Sequence, residues 1–181
     1  MAQTPSAMIP LHTAMPEFSL EDAHGKIFIP SDSPNGTLIV FMCNHCPFVI
    51  HVAGMLSEIA SICATSNIDM IGINSNDIEA YPDDSPEQMI AIAEKYSWNF
   101  PYLFDADQEV AKAFQATCTP DVFLYDNQRR LYYRGQFDDS RPNQGESDGK
   151  DLNNAIKSLI ACFPPPEDQK PSIGCNIKWR H

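Results

Sequence analysis

The sequence predicts an α/β domain with a mixed β-sheet, and three observations support that fold class. First, an uncharged run rich in β-branched residues over 37–42 is followed by apolar residues at helical spacing over 48–64. Second, the same order recurs, with a buried strand at 69–73 and a helix over 85–96 that opens with Ser-Pro. Third, two apolar arms around a polar turn at 126–129 predict a terminal hairpin, which adds antiparallel strands.

Shorter patterns predict the remaining elements. The segments 18–20 and 26–29 alternate apolar and polar residues around a turn-rich centre, which indicates an N-terminal β-hairpin. A short apolar segment at 100–104 predicts an extended piece, and 107–115 predicts a helix with one apolar face. A final helix is expected near 151–162, so the hairpin and the tail flank an alternating strand–helix centre.

We expect the chain to divide into three segments. An irregular N-terminal arm covers 1–14, where prolines interrupt any regular element. One domain covers 15–163, a size that can bury a single hydrophobic core. The remaining residues, 164–181, form a proline-stiffened tail that is too short to be a domain and is expected to pack on it.

The charge balance argues against two function classes. Lys and Arg total 12 against 24 Asp and Glu, which gives a net charge of −12. A nucleic-acid backbone or an anionic membrane surface repels such a chain, so we expect neither as a partner. The first sixteen residues contain no Lys or Arg, unlike a secretory or transit peptide, and a cytoplasmic protein is expected. We interpret Arg134 and Arg141 as solvated surface charges.

The cysteine spacing carries the clearest chemical signal. Six cysteines are too few for a disulfide-stapled miniature, and Cys63 and Cys162 fit apolar helical positions as core thiols. Cys43 and Cys46 form a C-x-x-C between the strand at 37–42 and the following helix. The start of a helix favours a thiolate, so Cys43 is predicted to be the nucleophile and Cys46 the resolving thiol.

Two further sequence features, His45 and Thr119-Pro120, add detail to the predicted chemistry of Cys43 and Cys46. His45 lies between the two cysteines, and its positive charge is expected to lower the pKa of Cys43. Thr119 and Pro120 precede the strand of the terminal hairpin, and we predict a cis peptide bond between them. Backbone groups at that position are expected to bind an extended substrate segment as an added strand.

Taken together, these residues resemble the thioredoxin superfamily, and more specifically its redoxin branch. The resemblance rests on Phe18–Asp22, on Cys43–Cys46, on Thr119-Pro120 and on Asp121–Arg134. The tail Pro171–Trp179 also resembles that of bacterial thioredoxin-like proteins described as peroxiredoxin-like. The resemblance implies a thioredoxin-like fold with a four- or five-stranded central sheet flanked by helices. It also implies an exposed nucleophile at Cys43, a partly buried Cys46, and a redox-active disulfide in place of a cofactor.

The departures from the family patterns indicate which chemistry to expect. Peroxiredoxins carry P-x-x-x-T/S-x-x-C, whereas this chain has Ile39 and Cys43 at the first two positions and Cys46 at the last. Thr119-Pro120 stands where those enzymes have their peroxide-activating Arg. Thioredoxins proper have a buried carboxylate in the strand before the motif, and the strand here has none. The sequence therefore predicts a thiol–disulfide oxidoreductase acting on a protein or small-molecule disulfide or thiol, as a monomer or weak dimer.

Three alternatives remain open at this stage. A thiol peroxidase would act through Cys46, on the redoxin resemblance. A copper- or zinc-binding module would use Cys43, His45, Cys46 and His51, with Cys175 as a further ligand, although a single C-x-x-C leaves the coordination shell incomplete and no metal is expected. A fold retained only for protein interaction would have unreactive cysteines.

Cys175 and Cys118 are candidates for a third redox thiol. The tail is long enough to fold back over the domain, which would bring Cys175 towards Cys43. The alternative, which we favour, is that Ile173, Ile177 and Trp179 dock the tail and Cys175 only fills space. Cys118 lies beside Pro120 and is equally consistent with a buried structural thiol.

Overall fold

The computed structural model describes residues 3–180, and within them the chain forms ten strands and four α-helices. The strands are β1 (Gln3–Pro5), β2 (Leu20–Asp22), β3 (Ile27–Phe28), β4 (Thr37–Phe41), β5 (Asp69–Asn74), β6 (Tyr102–Phe104), β7 (Cys118–Thr119), β8 (Asp121–Tyr125), β9 (Leu131–Tyr133) and β10 (Ile173–Asn176). The helices are α1 (Pro47–Thr65), α2 (Pro86–Tyr96), α3 (Glu109–Phe114) and α4 (Lys150–Ile160), with a 3-10 turn at Pro82–Asp84.

The strands form one large mixed sheet, which confirms the predicted fold class. Its order is β3-β2-β6-β5-β4-β8-β9, with β4, β5 and β6 parallel and the outer pairings antiparallel. The central strand β4 is buried along its whole length, because sheet neighbours cover both edges and apolar side chains cover both faces. The resemblance implied four or five strands; the sheet has seven because the N-terminal hairpin pairs with β6.

Side chains of the sheet alternate between two apolar layers, as the pleat of a strand requires. Leu38 and Val40 of β4 face the layer that holds α1 and α4. Ile39 and Phe41 face the opposite layer, which holds α3. The sheet therefore lies between two helical layers, and the carboxyl end of β4 emerges at one edge of the sandwich.

The helix α1 is the principal helix of the first layer. By length and composition alone it is apolar enough to span a membrane, but its inner face packs into the core through Val49, Val52, Ala53 and Leu56, each at most 4% exposed. Pro47 occupies its first position, where the missing N–H has no partner to lose. This fixes the start of α1 one residue after Cys46.

The two chain ends differ most from expectation. The arm over 1–14 was expected to be irregular, but β1 lies within its described part and pairs antiparallel with β10 of the tail. β10 also pairs with β7, so a second sheet has the order β1-β10-β7. Short strands that pair across most of the chain leave no local pattern in the sequence, which is why the prediction of an irregular arm was wrong.

Cys63 and Cys162 have different environments. Cys63 is buried against the sheet, as predicted, but Cys162 is exposed. The helix α4 ends at Ile160, before Cys162 completes another turn, so the prediction of a core thiol at that position was wrong. Cys162 is useful for this reason as an accessible thiol remote from the residues discussed below.

Candidate active site

The predicted site residues meet at the carboxyl end of β4. Cys43 and Cys46 lie on the loop that joins β4 to α1, and β8 pairs with β4 so that Phe41 is opposite Asp121. That register brings the preceding Thr119–Pro120 peptide, which is cis as predicted, against the loop. The Cys43 sulfur lies 3.4 Å from the Thr119 hydroxyl oxygen, and the Cys46 sulfur lies 3.2 Å from the Thr119 carbonyl oxygen.

Both cysteines are buried. Cys43 is 1% exposed and Cys46 is 0% exposed, although the resemblance implied an exposed nucleophile at Cys43. On the Cys46 side, β10 runs along Thr119 and places Cys175 against Cys46. The pair is therefore sheltered from solvent, and its two sulfurs are not joined by a disulfide in this structure.

The helix start favours Cys46 and not Cys43. Cys46 is the capping residue of α1, whereas Cys43 lies three residues before it on the loop, so the expected placement of Cys43 in the first helical turn was wrong. As a thiol, Cys46 donates to the Thr119 carbonyl. As a thiolate, it accepts hydrogen bonds from the Cys43 and Cys175 thiols and from the Val49 amide, and these lower its pKa from 9.0 to about 5 despite burial.

Cys43 shows the opposite shift. Its pKa lies well above the ordinary value because its thiol hydrogen-bonds the Cys46 sulfur, because it is buried, and because the Asp84 carboxylate repels a second negative charge. Hydrogen bonding by Thr119 only partly offsets these effects. These two directions favour Cys46, and not Cys43 as the sequence predicted, as the member of the pair that ionises.

His45 lies close to Cys43, but its nearest charged partner is a carboxylate. Its Nδ1 lies 2.8 Å from a carboxylate oxygen of Asp84, and its ring stacks on Tyr81 with 5.7 Å between centroids. His45 is thus held by a negative partner, and the charge that reaches Cys43 most directly is that of Asp84. The position of His45 between the two cysteines in the sequence was not sufficient to predict its pairing with Asp84.

Asp84 is a candidate site residue that the sequence analysis missed. It comes from the 3-10 turn, is fully buried, and accepts hydrogen bonds from the Asn44 amide at 2.8 Å and from Asn76 Nδ2 at 2.7 Å. Asn44 is further fixed by the Tyr102 hydroxyl, which donates to its side-chain oxygen at 2.9 Å. This network holds the loop between the two cysteines, and it supplies the buried carboxylate that the strand β4 lacks. No sequence signal distinguishes Asp84 from its neighbour Asp83.

A second buried carboxylate lies directly behind Pro120. Asp121 forms a two-pronged ion pair with Arg134, whose guanidinium also lies 3.7 Å from the centre of the Phe123 ring. Arg134 is fully buried, so its interpretation as a surface charge was wrong. Arg141 is half-buried and donates to the Asp138 and Ser140 carbonyls and to Gln136, so it binds its own loop. The Asp121–Arg134 pair anchors the strand that presents Pro120.

The two candidates for a third thiol differ in their contacts. Cys118 is fully buried, its thiol donates to the Pro120 carbonyl at 3.7 Å, and burial raises its pKa. Cys175 hydrogen-bonds the Cys46 sulfur, and burial together with this contact raises its pKa to about 12. The structure therefore brings Cys175 to Cys46, whereas the sequence analysis considered an approach to Cys43 and favoured a space-filling role. The residues named as docking contacts do hold the tail, with Ile177 1% exposed and Trp179 packed on the same layer.

The proposed metal-binding set is only partly assembled. Ligand atoms of Cys43, His45 and Asp84 lie within 4.8 Å of one another. His51, also named in that hypothesis, hydrogen-bonds the Ser140 hydroxyl at 2.7 Å on the flank of α1. The cluster therefore differs from the one expected: it contains Cys43 and His45 with the Asp84 carboxylate, and it lacks Cys46, His51 and Cys175.

These features define a class of protein: a redoxin of the thioredoxin superfamily, with a cysteine pair at the start of the first long helix facing a cis-proline loop. The chain belongs to the AhpC/TSA family, whose model matches residues 11–134. This family consists of thioredoxin-like oxidoreductases. A comparison with curated proteins gives no match.

Solved structures extend the similarity over the whole chain. An uncharacterized conserved protein from Geobacillus kaustophilus is 45% identical with a TM-score of 0.96, over 99% of this chain and 97% of that one. A hypothetical protein from Sinorhizobium meliloti is 44% identical with a TM-score of 0.94, over 98% of each chain. A secreted disulfide oxidoreductase of Mycobacterium tuberculosis shares the fold at 19% identity and a TM-score of 0.61, over 78% of this chain and 95% of that one.

Proposed function

We propose that this chain is a thiol–disulfide oxidoreductase whose redox centre is the Cys43–Cys46 dithiol. The observation that carries the proposal is that the sulfurs of Cys43 and Cys46 both contact Thr119, beside the cis Thr119–Pro120 peptide, where α1 begins. The groups around Cys46 also lower the pKa of its thiol to about 5. A thiolate beside a thiol is the arrangement that disulfide exchange requires. We place the protein in the cytoplasm, with a protein or small-molecule disulfide as its partner.

We propose a separate role for each sulfur. The Cys46 thiolate attacks one sulfur of a substrate disulfide, forms a mixed disulfide, and releases the other substrate sulfur as a thiolate. Cys43 then loses its proton and attacks the Cys46 sulfur, which releases the second substrate thiolate and leaves a Cys43–Cys46 disulfide. Two electrons pass to the substrate and each released thiolate takes up a proton. This order reverses the roles that the motif alone predicted.

Thr119 is proposed to position the pair. Its hydroxyl lies 3.4 Å from Cys43 and lowers the pKa of both thiols, while its carbonyl accepts from Cys46. Pro120 follows and, with the Asp121–Arg134 pair behind it, holds these groups against the loop. Asp84 fixes the loop from the other side through Asn44.

A second candidate function is supported by one specific observation. Cys46 occupies the position of the peroxidatic cysteine of peroxiredoxins, and it is the sulfur whose pKa is lowered to about 5. A thiolate at the start of a helix is the nucleophile that attacks a peroxide. The two functions share Cys46 and differ in the oxidant, so one set of variants separates them.

The test uses the Cys162→Ser protein as parent, because Cys162 is exposed and would react with any thiol reagent. Replacement of Cys43 or Cys46 by Ser in that parent is expected to lower insulin-disulfide reduction by at least about 100-fold. Cys118→Ser, which leaves the dithiol intact, is the matched control. Insulin reduction at the parent rate in both the Cys43 and Cys46 variants would refute the oxidoreductase proposal. Peroxide consumption in a stopped-flow assay that exceeds insulin reduction and needs only Cys46 would assign the protein to the peroxidase class.

A further inference from the structure

The tail strand β10 occupies the position where a substrate strand was expected. Cys175 lies opposite Thr119 in the antiparallel register, and Asn176 lies opposite Cys118. The approach is close: a Cβ on Gly174 would lie 2.1 Å from the Thr119 carbonyl oxygen, so a glycine is needed there. The edge of β7, which the sequence analysis assigned to substrate binding, is therefore paired with the chain's own tail.

This pairing brings a third sulfur to the dithiol. The Cys175 thiol hydrogen-bonds the Cys46 sulfur, which also accepts from Cys43. Cys175 is 2% exposed, and its strand is held on one edge by β7 and on the other by β1. The three sulfurs thus form a chain with Cys46 in the middle. Cys118 is a useful contrast, since it is equally buried on the neighbouring strand but its thiol binds the Pro120 carbonyl.

We propose that Cys175 is a third redox-active thiol, and that it exchanges with the Cys43–Cys46 disulfide to form a Cys46–Cys175 disulfide. The inference rests on the proposed function, because it needs the first disulfide to form. Cys175 is then a substrate-like cysteine carried by the chain itself, presented to Cys46 by strand pairing with Thr119.

The exchange balances without an external oxidant. The Cys175 thiolate attacks the Cys46 sulfur, a bond forms between these two sulfurs, and the Cys43–Cys46 bond breaks. Cys43 leaves as a thiolate and takes up the proton that Cys175 lost. One disulfide and one thiol are present before and after the step, so the disulfide moves from the loop to the tail.

The location of the new disulfide has a structural consequence. It ties β10 to the start of α1, and β10 already lies beside Thr119, so the tail is fixed over the sulfurs that a substrate must reach. Because Cys46 is 0% exposed with the tail in place, a substrate reaches it only when β10 is displaced. The Cys46–Cys175 disulfide is therefore a closed form of the oxidised protein, with Cys43 as its remaining thiol.

The test is disulfide mapping in the Cys162→Ser parent and two derived variants. The Cys43→Ser variant retains Cys46 and Cys175, and mild oxidation with diamide is expected to join them within one chain in most of the protein. Peptide mass spectrometry under non-reducing conditions identifies the linked peptides. Replacement of Cys118 by Ser in the same variant is the matched control and is expected to leave the yield unchanged.

The outcomes separate this inference from the proposed function. In the parent protein, diamide is expected to give both the Cys43–Cys46 and the Cys46–Cys175 linkage, and replacement of Cys175 by Ser to leave only the first. A Cys43–Cys46 linkage in the parent without any Cys46–Cys175 linkage, there or in the Cys43→Ser variant, would overturn the third-thiol proposal alone. Failure of the Cys43–Cys46 linkage to form in the Cys175→Ser variant, where no exchange can remove it, would instead count against the proposed function.

Discussion

The loop side of the dithiol, around Cys43, and the helix side, around Cys46, are three residues apart and have opposite electrostatic character. The loop side faces the buried Asp84 carboxylate, which disfavours a thiolate. The helix side offers hydrogen-bond donors: the Val49 amide at the start of α1 and the Cys43 and Cys175 thiols. The two cysteines belong to one motif, yet one has a raised pKa and the other a lowered one.

This comparison shows that the motif does not decide which sulfur ionises. Which sulfur ionises depends on the residue at which the helix begins, here Pro47, and on the carboxylate of Asp84, which comes from a distant turn. A thiol next to free helix amides gains stabilisation of its charged form, whereas a thiol near a buried anion loses it. Three experiments test the comparison, in order of expected effect.

The largest effect concerns the thiolate of Cys46. Thiolate absorbance near 240 nm is expected to titrate at a pH of about 5 in the wild-type protein, and replacement of Cys46 by Ser should remove this transition. Because the pKa is lower in the folded than in the unfolded state, the stabilisation it provides is complete above the unfolded value of 9.0 and disappears as the pH falls to about 5. Urea denaturation over this range is expected to show that slope, and the Cys46 variant to lack it.

Two observations would contradict this assignment. The first is a low-pH thiolate signal that survives in the Cys46→Ser protein and vanishes in the Cys43→Ser protein. The second is a stability that does not fall between pH 9 and pH 5 in the wild-type protein relative to the Cys46 variant. Cys118→Ser is the control, because burial raises the pKa of that thiol and it makes no thiolate at these pH values.

A smaller effect is expected on the loop side. Asp84→Asn removes the negative charge near Cys43, so the pKa of Cys43 should fall and its alkylation by iodoacetamide at pH 8 should accelerate by up to about tenfold. The measurement is made with Cys46 and Cys162 replaced by Ser, and peptide mass spectrometry distinguishes alkylation of Cys43 from that of Cys63, Cys118 and Cys175. Asp83→Asn is the matched control, because Asp83 is exposed on the same turn. Equal rates in the two variants would show that the Asp84 charge does not reach Cys43.

The smallest effect concerns Thr119, which faces both sulfurs. Thr119→Val keeps the shape and removes the hydroxyl that lowers the pKa of both thiols. The thiolate titration of Cys46 is expected to move upward, with a rate of insulin reduction at pH 6 reduced by about threefold to tenfold. Thr119→Ser restores the hydroxyl and is expected to restore the titration. If Cys46 titrates at the same pH in the Thr119→Val protein as in the wild type, the Thr119 hydroxyl does not lower the pKa of Cys46.

Much of the fold could be predicted because its signals are local. The strand at 37–42, the helix after it and the terminal hairpin all appear within one or two residues of their predicted bounds, since apolar periodicity over a few residues determines them. The N-terminal hairpin was also found, although its first strand lies slightly later, at Leu20–Asp22. The strands β1 and β10 were not predicted, because each pairs with a strand that is far away in the chain.

The candidate site was predictable in its residues but not in its electrostatics. The C-x-x-C and the cis Thr119–Pro120 peptide followed from the sequence alone. The burial of Arg134 and the role of Asp84 depend on which elements the fold brings together. The helix boundary matters as well, because a shift of three residues moves the favoured thiolate from Cys43 to Cys46.

The strand β1 has a practical consequence for anyone who expresses this protein. It holds the outer edge of β10, whose inner edge lies against Thr119, so both distal segments of the chain converge on the reactive sulfurs. A tag fused near β1 is therefore expected to disturb this pairing and, through it, the strand that places Cys175 beside Cys46. Such a tag is best removed before any rate or potential is recorded.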